Sequence, residues 1–180
     1  MVFFFLKIVK VFHFEVIIFM KTIAVVGSGG AGLNIVNTFK KESEYENVDI
    51  YVVNDEKRVD DVEFYKFNQI DGLIKVLSEY NHVILTAGLG GRGGDTIVKL
   101  ANELDNIEGI VVCKPFRVEK YRVETAEEQI KLLRGNVVLK NLDELVEKMP
   151  DATIKDAFMA FDREIVEEIA KIIQRLIHST

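Results

Sequence analysis

Short apolar runs alternate with amphipathic stretches along most of the chain, and this alternation limits the fold more than any other feature. The runs are Ile23–Val26, Ile50–Val53, His82–Leu85, Gly109–Cys113 and Asn136–Leu139, with a weaker one at Phe64–Phe67. Helical periodicity fills the gaps at Leu33–Lys41, Asp71–Tyr80, Thr96–Leu104 and Thr125–Leu133. Strands this apolar on both sides need cover on two faces, which is the condition of a parallel sheet packed between helices. The expected fold is α/β: a three-layer, Rossmann-like parallel sheet with helices on both faces, ending in one long helix. Pro150-Asp151 supplies a helix start for that last element. Ile154, Phe158, Phe161, Ile165, Ile169, Ile172 and Leu176 then recur at spacings of three and four. About 28 residues give a helix of roughly 40 Å, so its final two turns are expected to project past the domain.

The 180 residues are 48% hydrophobic, enough for one domain with a substantial core and too apolar for a disordered chain. A net charge of −6 argues against a nucleic-acid surface. A lone cysteine, Cys113, excludes an intrachain disulfide framework and a zinc site built on cysteines, and it fits a reducing, cytoplasmic setting.

Residues 1–20 read separately from residues 21–180, which form the single expected domain. Six of the twelve Phe fall in the first stretch, but Lys7, Lys10, His13 and Glu15 interrupt it. No run there approaches the roughly 20 apolar residues of a membrane span. No transmembrane segment and no signal peptide are expected. Three readings of this stretch are an extra strand over apolar surface, a weak membrane-surface anchor, and a start-site artefact with Met20 as the first residue.

Nine of the twelve glycines lie in two clusters. Gly27, Gly29, Gly30 and Gly32 follow the first apolar run; Gly88, Gly90, Gly91, Gly93 and Gly94 follow the third. Both therefore lie at the carboxyl ends of parallel strands, just before helices, where open α/β sheets bind ligands. Bare backbone lets an anion approach, and the amides and dipole of the following helix attract it. One cluster suits one phosphate; two facing clusters suit a di- or triphosphate. The plain alternative for each cluster is a tight turn.

No Walker-type lysine motif is present. Gly27-Ser28-Gly29-Gly30-Ala31-Gly32 satisfies G-x-G-x-x-G, and Asp55 follows near the offset of a ribose-binding acid. An NAD-type dinucleotide-binding protein is therefore one reading. It offers no catalytic set: the histidines are His13, His82 and His178, and Cys113 lies in a strand.

The same residues resemble the FtsZ/tubulin superfamily of GTP-binding filament proteins, over roughly Lys21 to Ile173. Ile23 to Asn34 resembles the family's first glycine loop, and Val53-Asn54 its loop after the second strand. Thr86 to Gly94 stands where the family has its signature phosphate loop. Cys113-Lys-Pro-Phe116, Glu119 and Ala126-Glu-Glu-Gln-Ile130 are similar to the loop and helix after the fifth strand, and Ala157-Phe158 with Asp162 to the start of the central helix. The resemblance implies GTP or GDP as ligand, with Mg2+ beside the phosphates. It places Gly29, Gly30, Ala31, Gly32, Gly90, Gly91, Arg92, Gly93 and Gly94 on the phosphates. It places Asn34, Glu119, Arg122, Asn141, Phe158 and Asp162 on base and ribose. An acid at Asp162 would accept the two N–H donors of guanine, a pair adenine lacks. Phe158, one turn earlier, shares its face and would stack on the base; the alternatives are core packing for Phe158 and a solvated acid for Asp162.

The sequence also departs from the family pattern. Arg92 and Asp95 interrupt the signature loop, the loop after the third strand is shortened between Phe67 and Asp71, and the arginine expected at position 123 stands at Arg122. Asp95 near a phosphate would repel it unless it held Mg2+ or capped the helix. The family's catalytic Asn-x-Asp-x-x-Asp loop has no full counterpart, and Asn141-Leu142-Asp143 is a partial echo. No catalytic residue is expected from this chain, and any hydrolysis would draw that loop from another subunit. The stripe Ile165, Ile169, Ile172, Ile173, Leu176 and Ile177 is expected to be partly uncovered, offering a surface for a second copy or a full-length FtsZ-like partner. The chain would then act as a partner or regulator of filament-forming relatives. A fold that serves only as an interaction module, without nucleotide, is the remaining reading.

Overall fold

The computed structural model describes residues 23–178 apart from 44, 46 and 58; the readings placed on residues 1–20 lie outside them. Six strands form one sheet: β1 (Ile23–Ser28), β2 (Val48–Val53), β3 (Glu63–Tyr65), β4 (His82–Gly88), β5 (Ile107–Lys114) and β6 (Val137–Asn141). Every pairing is parallel. The helices are α1 (Gly29–Glu42), α2 (Ile70–Leu77), α3 (Arg92–Glu103), α4 (Lys120–Leu132), α5 (Asp143–Lys148) and α6 (Ile154–His178), with a 3-10 turn at Phe67–Gln69 before α2.

The strand order is β3-β2-β1-β4-β5-β6. The chain winds outward from β1 to one edge, returns to β4, and winds outward to the other. The direction reverses between β1 and β4, and that switch point is where the two strands' outgoing loops part and leave a crevice.

Alternation along each strand divides the core into two layers, as the sequence pattern requires. Val25, Val52, Ile84 and Val111 face one side and pack with Ile35 and Phe39 of α1 and Phe161, Ile165 and Ile169 of α6. Ala24, Val53, Leu85 and Val112 face the other and pack with Leu73 of α2, Ile97 and Leu100 of α3 and Ala126 of α4. Each large side chain buried this way contributes about 1.5–3 kcal/mol.

Two expectations need correction. The last helix begins at Ile154, not at Pro150-Asp151, which lie in a turn after α5. The reason is a better cap. Thr153 Oγ1 accepts the Asp156 N–H at 3.1 Å and bonds the Asp156 carboxylate at 2.7 Å, a side-chain capping pair that sets the start. The helical stripe is also covered by the domain itself from Ile165 to Ile173, and of the expected uncovered residues Ile177 stays exposed and Leu176 partly so. Ile165, Ile169 and Ile173 are fully buried and Ile172 nearly so, packed on α1 and the sheet. Gly109 of β5 permits the approach, since a Cβ there would lie 2.5 Å from Ile172 Cδ1. The apolar residues that α6 leaves exposed are Ile154, Phe158 and Met159 near its start and Ile177 near its end.

Candidate functional site

The register of β1 on β4 pairs Gly27 with Thr86 and Ser28 with Ala87. The two glycine clusters therefore leave the sheet at one level, on either side of the switch point. They touch. A Cβ on Gly29 would lie 3.1 Å from Gly93 Cα, and a Cβ on Gly93 would lie 2.7 Å from the Ser28 carbonyl oxygen. The two stretches share one rim.

Helices begin inside both clusters. α1 starts at Gly29 and α3 at Arg92, each several residues before the sequence periodicity begins. Glycine is a poor helix former, so a reading by propensity starts these helices late; packing on the sheet starts them early. Neither helix has a side-chain cap at its first turn. The first-turn amides of both helices thus have no side-chain acceptor, and the Asp95 N–H bonds the Gly91 carbonyl at 3.2 Å. Ser28 Oγ and Thr86 Oγ1 are fully buried beneath these loops with no hydrogen-bond partner.

Packing accounts for Gly32, Gly93 and Gly94, whose added Cβ atoms would collide with Gly27 and Thr86, with Ser28, and with Gln129. Gly30 and Gly91 differ: a Cβ on either would meet nothing within 4 Å. One glycine in each loop therefore opens onto space that the protein does not fill. Ala31 lies against Gly88, tightening the junction between the loops.

The second loop is held from behind by Gln129 of α4, which is buried. Its Oε1 accepts the Gly90 N–H at 2.7 Å, and its Nε2 donates to the Gly91 carbonyl at 3.0 Å and to Asp95 Oδ1 at 2.6 Å. The Gly90 amide is used internally, and Asp95 is turned to Gln129 rather than capping the helix. In the sequence Gln129 stands only within Ala126–Ile130, the stretch that resembles the family's helix after the fifth strand. Its spacing of three from Ala126, on the buried face of α4, is the signal that marks it. Arg92 bonds Asp55 Oδ2 at 2.8 Å, and its guanidinium carbon stands 4.2 Å from the Phe67 ring centroid. Asp55, the acid a dinucleotide ribose would need, is therefore engaged by Arg92.

Of the residues expected on base and ribose, Glu119, Arg122, Asn141, Phe158 and Asp162 lie toward the carboxyl ends of β5 and β6. Asp162 is partly buried, and burial raises its carboxyl to about 6. No hydrogen bond or ion pair of this carboxylate is found among the described residues. It lies near Cys113, whose thiol is pushed up to about 12 chiefly by burial, with Asp162 adding and Arg122 opposing. Arg122 Nη1 bonds Glu119 Oε2 at 2.7 Å, and its Nη2 reaches the Leu89 carbonyl at 3.4 Å. This pair joins the β5–α4 connection to the second glycine loop. Phe158 is 39% exposed and meets Phe116 edge-to-face at 6.1 Å, so it is no core residue. A cavity of about 170 Å³ opens beside these two rings, lined also by Leu145, Met149 and Ala157. Asn141 Oδ1 accepts the Asp143 N–H at 3.1 Å, tying its side chain to the start of α5. Asn34 is exposed on α1, one turn beyond the first loop. A larger cavity of about 480 Å³ lies at the opposite edge of the sheet, between Phe39, Lys40, Asp49 and Glu63, far from both glycine loops. Among the described residues, no cluster of three or more His, Cys, Asp or Glu is placed to hold a metal ion. No helix among them is long and apolar enough to cross a membrane.

Fold and site together define a doubly wound parallel α/β chain whose two glycine-rich loops adjoin at the switch point. No protein-family model matches it. An uncharacterized protein of Archaeoglobus fulgidus is 30% identical over 168 residues, covering 87% of this chain and 96% of that protein. Cell division protein FtsZ 2 of Haloferax volcanii is 32% identical over 113 residues, covering 58% of this chain and 28% of that protein. FtsZ 2 of Methanocaldococcus jannaschii is 29% identical over 101 residues, covering 52% and 27%. A solved structure titled as an empty FtsZ dimer from M. jannaschii superimposes with a TM-score of 0.69 at 22% identity, over 82% of this chain and 53% of that one. The chain belongs to one family with the A. fulgidus protein, and it is an FtsZ/tubulin-like chain by sequence motif and by fold. It spans well under two thirds of the FtsZ relatives' length.

Proposed function

We propose that the chain binds a guanine nucleotide, GTP or GDP, across the β1–β4 switch point. The observation that carries this reading is the pair Gly30 and Gly91, each open to space that packing leaves free. Around them stand two uncapped helix N-termini. The amides of α1 and α3 would hold the phosphates, with Mg2+ bound through the phosphates and water rather than by a protein cage. Glu119 and Arg122 flank the ribose, Asp162 accepts the guanine N1 and N2 hydrogens, and Phe158 stacks on the base. A half-buried carboxylate without a partner is costly by itself; guanine supplies the donors it lacks. The residues named here bind and orient, and no catalytic role is assigned to any of them.

The FtsZ 2 relatives are named cell division proteins. We place this chain in that setting, as a cytoplasmic partner or regulator of filament-forming relatives. Exposed Val118, Tyr121, Ile154 and Met159, rather than the buried stripe of α6, would carry the contact.

The test is calorimetric titration with GDP, GTP, ATP and NAD, alongside chromatography of any nucleotide released when the purified protein is denatured. Guanine nucleotides are expected to bind at least about 100-fold more tightly than ATP, because a site built on donors in the base rejects one lacking them. No binding, or a preference for NAD, overturns the reading. Unchanged filament length and GTP turnover of an archaeal FtsZ 2 on mixing would remove the partner role.

A further inference from the structure

Arg92 ties the two halves of the sheet together. It is the first residue of α3 and leaves from the second glycine loop. Asp55 lies just past β2, and Phe67 opens the turn after β3. One guanidinium, bonded to the first at 2.8 Å and lying 4.2 Å from the ring of the second, thus spans the switch point.

We propose that Arg92 distinguishes triphosphate from diphosphate by exchanging Asp55 for the terminal phosphate, and that this exchange frees the Phe67–Gln69 turn. The proposal rests on the nucleotide reading above. Both members of the Arg92–Asp55 pair are 64% exposed, so solvent and salt screen it, and a single nitrogen makes the contact. A phosphate offers two charged oxygens to the same planar fork, a stronger partner than a screened carboxylate. The inner phosphates are served by the backbone amides; a third phosphate extends beyond them toward the first side chain of α3. Asp55 opposes binding twice, by holding the arginine away and by placing its own negative charge at the mouth.

The experiment titrates wild type, R92Q, R92K and D55N with GDP and with GTP in Mg2+, with thermal melts to show that each is folded. R92Q is expected to lose about tenfold in GTP affinity while GDP stays within about twofold. R92K, with charge but no fork, should fall between R92Q and wild type. D55N should bind GTP several-fold more tightly than wild type, with little change for GDP. Amide exchange across Phe67–Gln69 should quicken with GTP and not with GDP in wild type, and should be fast throughout in R92Q. Equal losses for GTP and GDP in R92Q, no loss for either, or a D55N variant no tighter for GTP than wild type, overturn this proposal alone. Wild type that binds no nucleotide overturns the nucleotide reading and this one with it.

Discussion

Gln129 holds the peptide of Gly90: its Oε1 accepts that N–H at 2.7 Å inside a buried contact. The same side chain grips the Gly91 carbonyl and Asp95, so the second loop is shaped by the protein's own contacts. Gly90 itself sits at φ +83°, and a Cβ there would lie 2.4 Å from the Arg122 carbonyl oxygen, a turn only glycine fits. Q129A would leave a buried N–H without an acceptor. It is expected to cost about 1–3 kcal/mol, read as a lower urea midpoint at unchanged slope. Q129E keeps one acceptor but sets a carboxylate against Asp95 and a carbonyl, and is expected to be no better.

Glycines of the same motif should behave in two ways. G30A and G91A add a methyl group where nothing lies within 4 Å. The melting temperature of G91A should match wild type, and that of G30A should rise slightly, because alanine favours a helix by about 0.5–1 kcal/mol over glycine. Their nucleotide affinity should fall about tenfold as the methyl group meets phosphate. Unchanged affinity would show that the space is simply solvent.

G93A is the converse. Its methyl group would stand 2.7 Å from the Ser28 carbonyl oxygen, and neither backbone can yield without moving a strand end. A loss of about 1–3 kcal/mol in stability is expected, with nucleotide affinity falling as a consequence. A G93A melt equal to wild type would mean that the two loops do not pack as described.

The sheet was legible because apolar runs report burial directly: a strand such as Val83–Leu85 shows no polar face, so cover on both sides follows. That the two glycine clusters share one rim was legible because strand ends and glycines adjoin in sequence. What escaped was long-range. The Arg92–Asp55 pair spans 37 positions and the Gln129–Gly90 bond 39, and neither partner carries a local mark of the other. α5 escaped because six residues show no period. The cover over Ile165 and Ile169 escaped because a helical stripe shows that a face is apolar without showing what lies on it.

Asp162 links the site to pH. Burial raises its carboxyl from 3.8 to about 6, so the folded state holds this proton more tightly than the unfolded chain. Its contribution to stability is therefore fully present below the ordinary carboxylate range and is lost as pH rises through about 6. D162N removes that loss. It should stabilise the protein at neutral pH by on the order of 1 kcal/mol, allowing for solvent screening, and change little at about pH 4. Guanine recognition runs the opposite way. In the proposed guanine site the ionised carboxylate would accept two N–H groups, so GDP affinity should weaken as pH falls below about 6, approaching tenfold per unit, with one proton released on binding. Calorimetry in buffers of different ionisation heat reads that proton. D162N should abolish both the proton release and the preference for guanine over adenine. A wild-type GDP affinity that stays flat between about pH 5 and 7.5 would remove Asp162 from the base site.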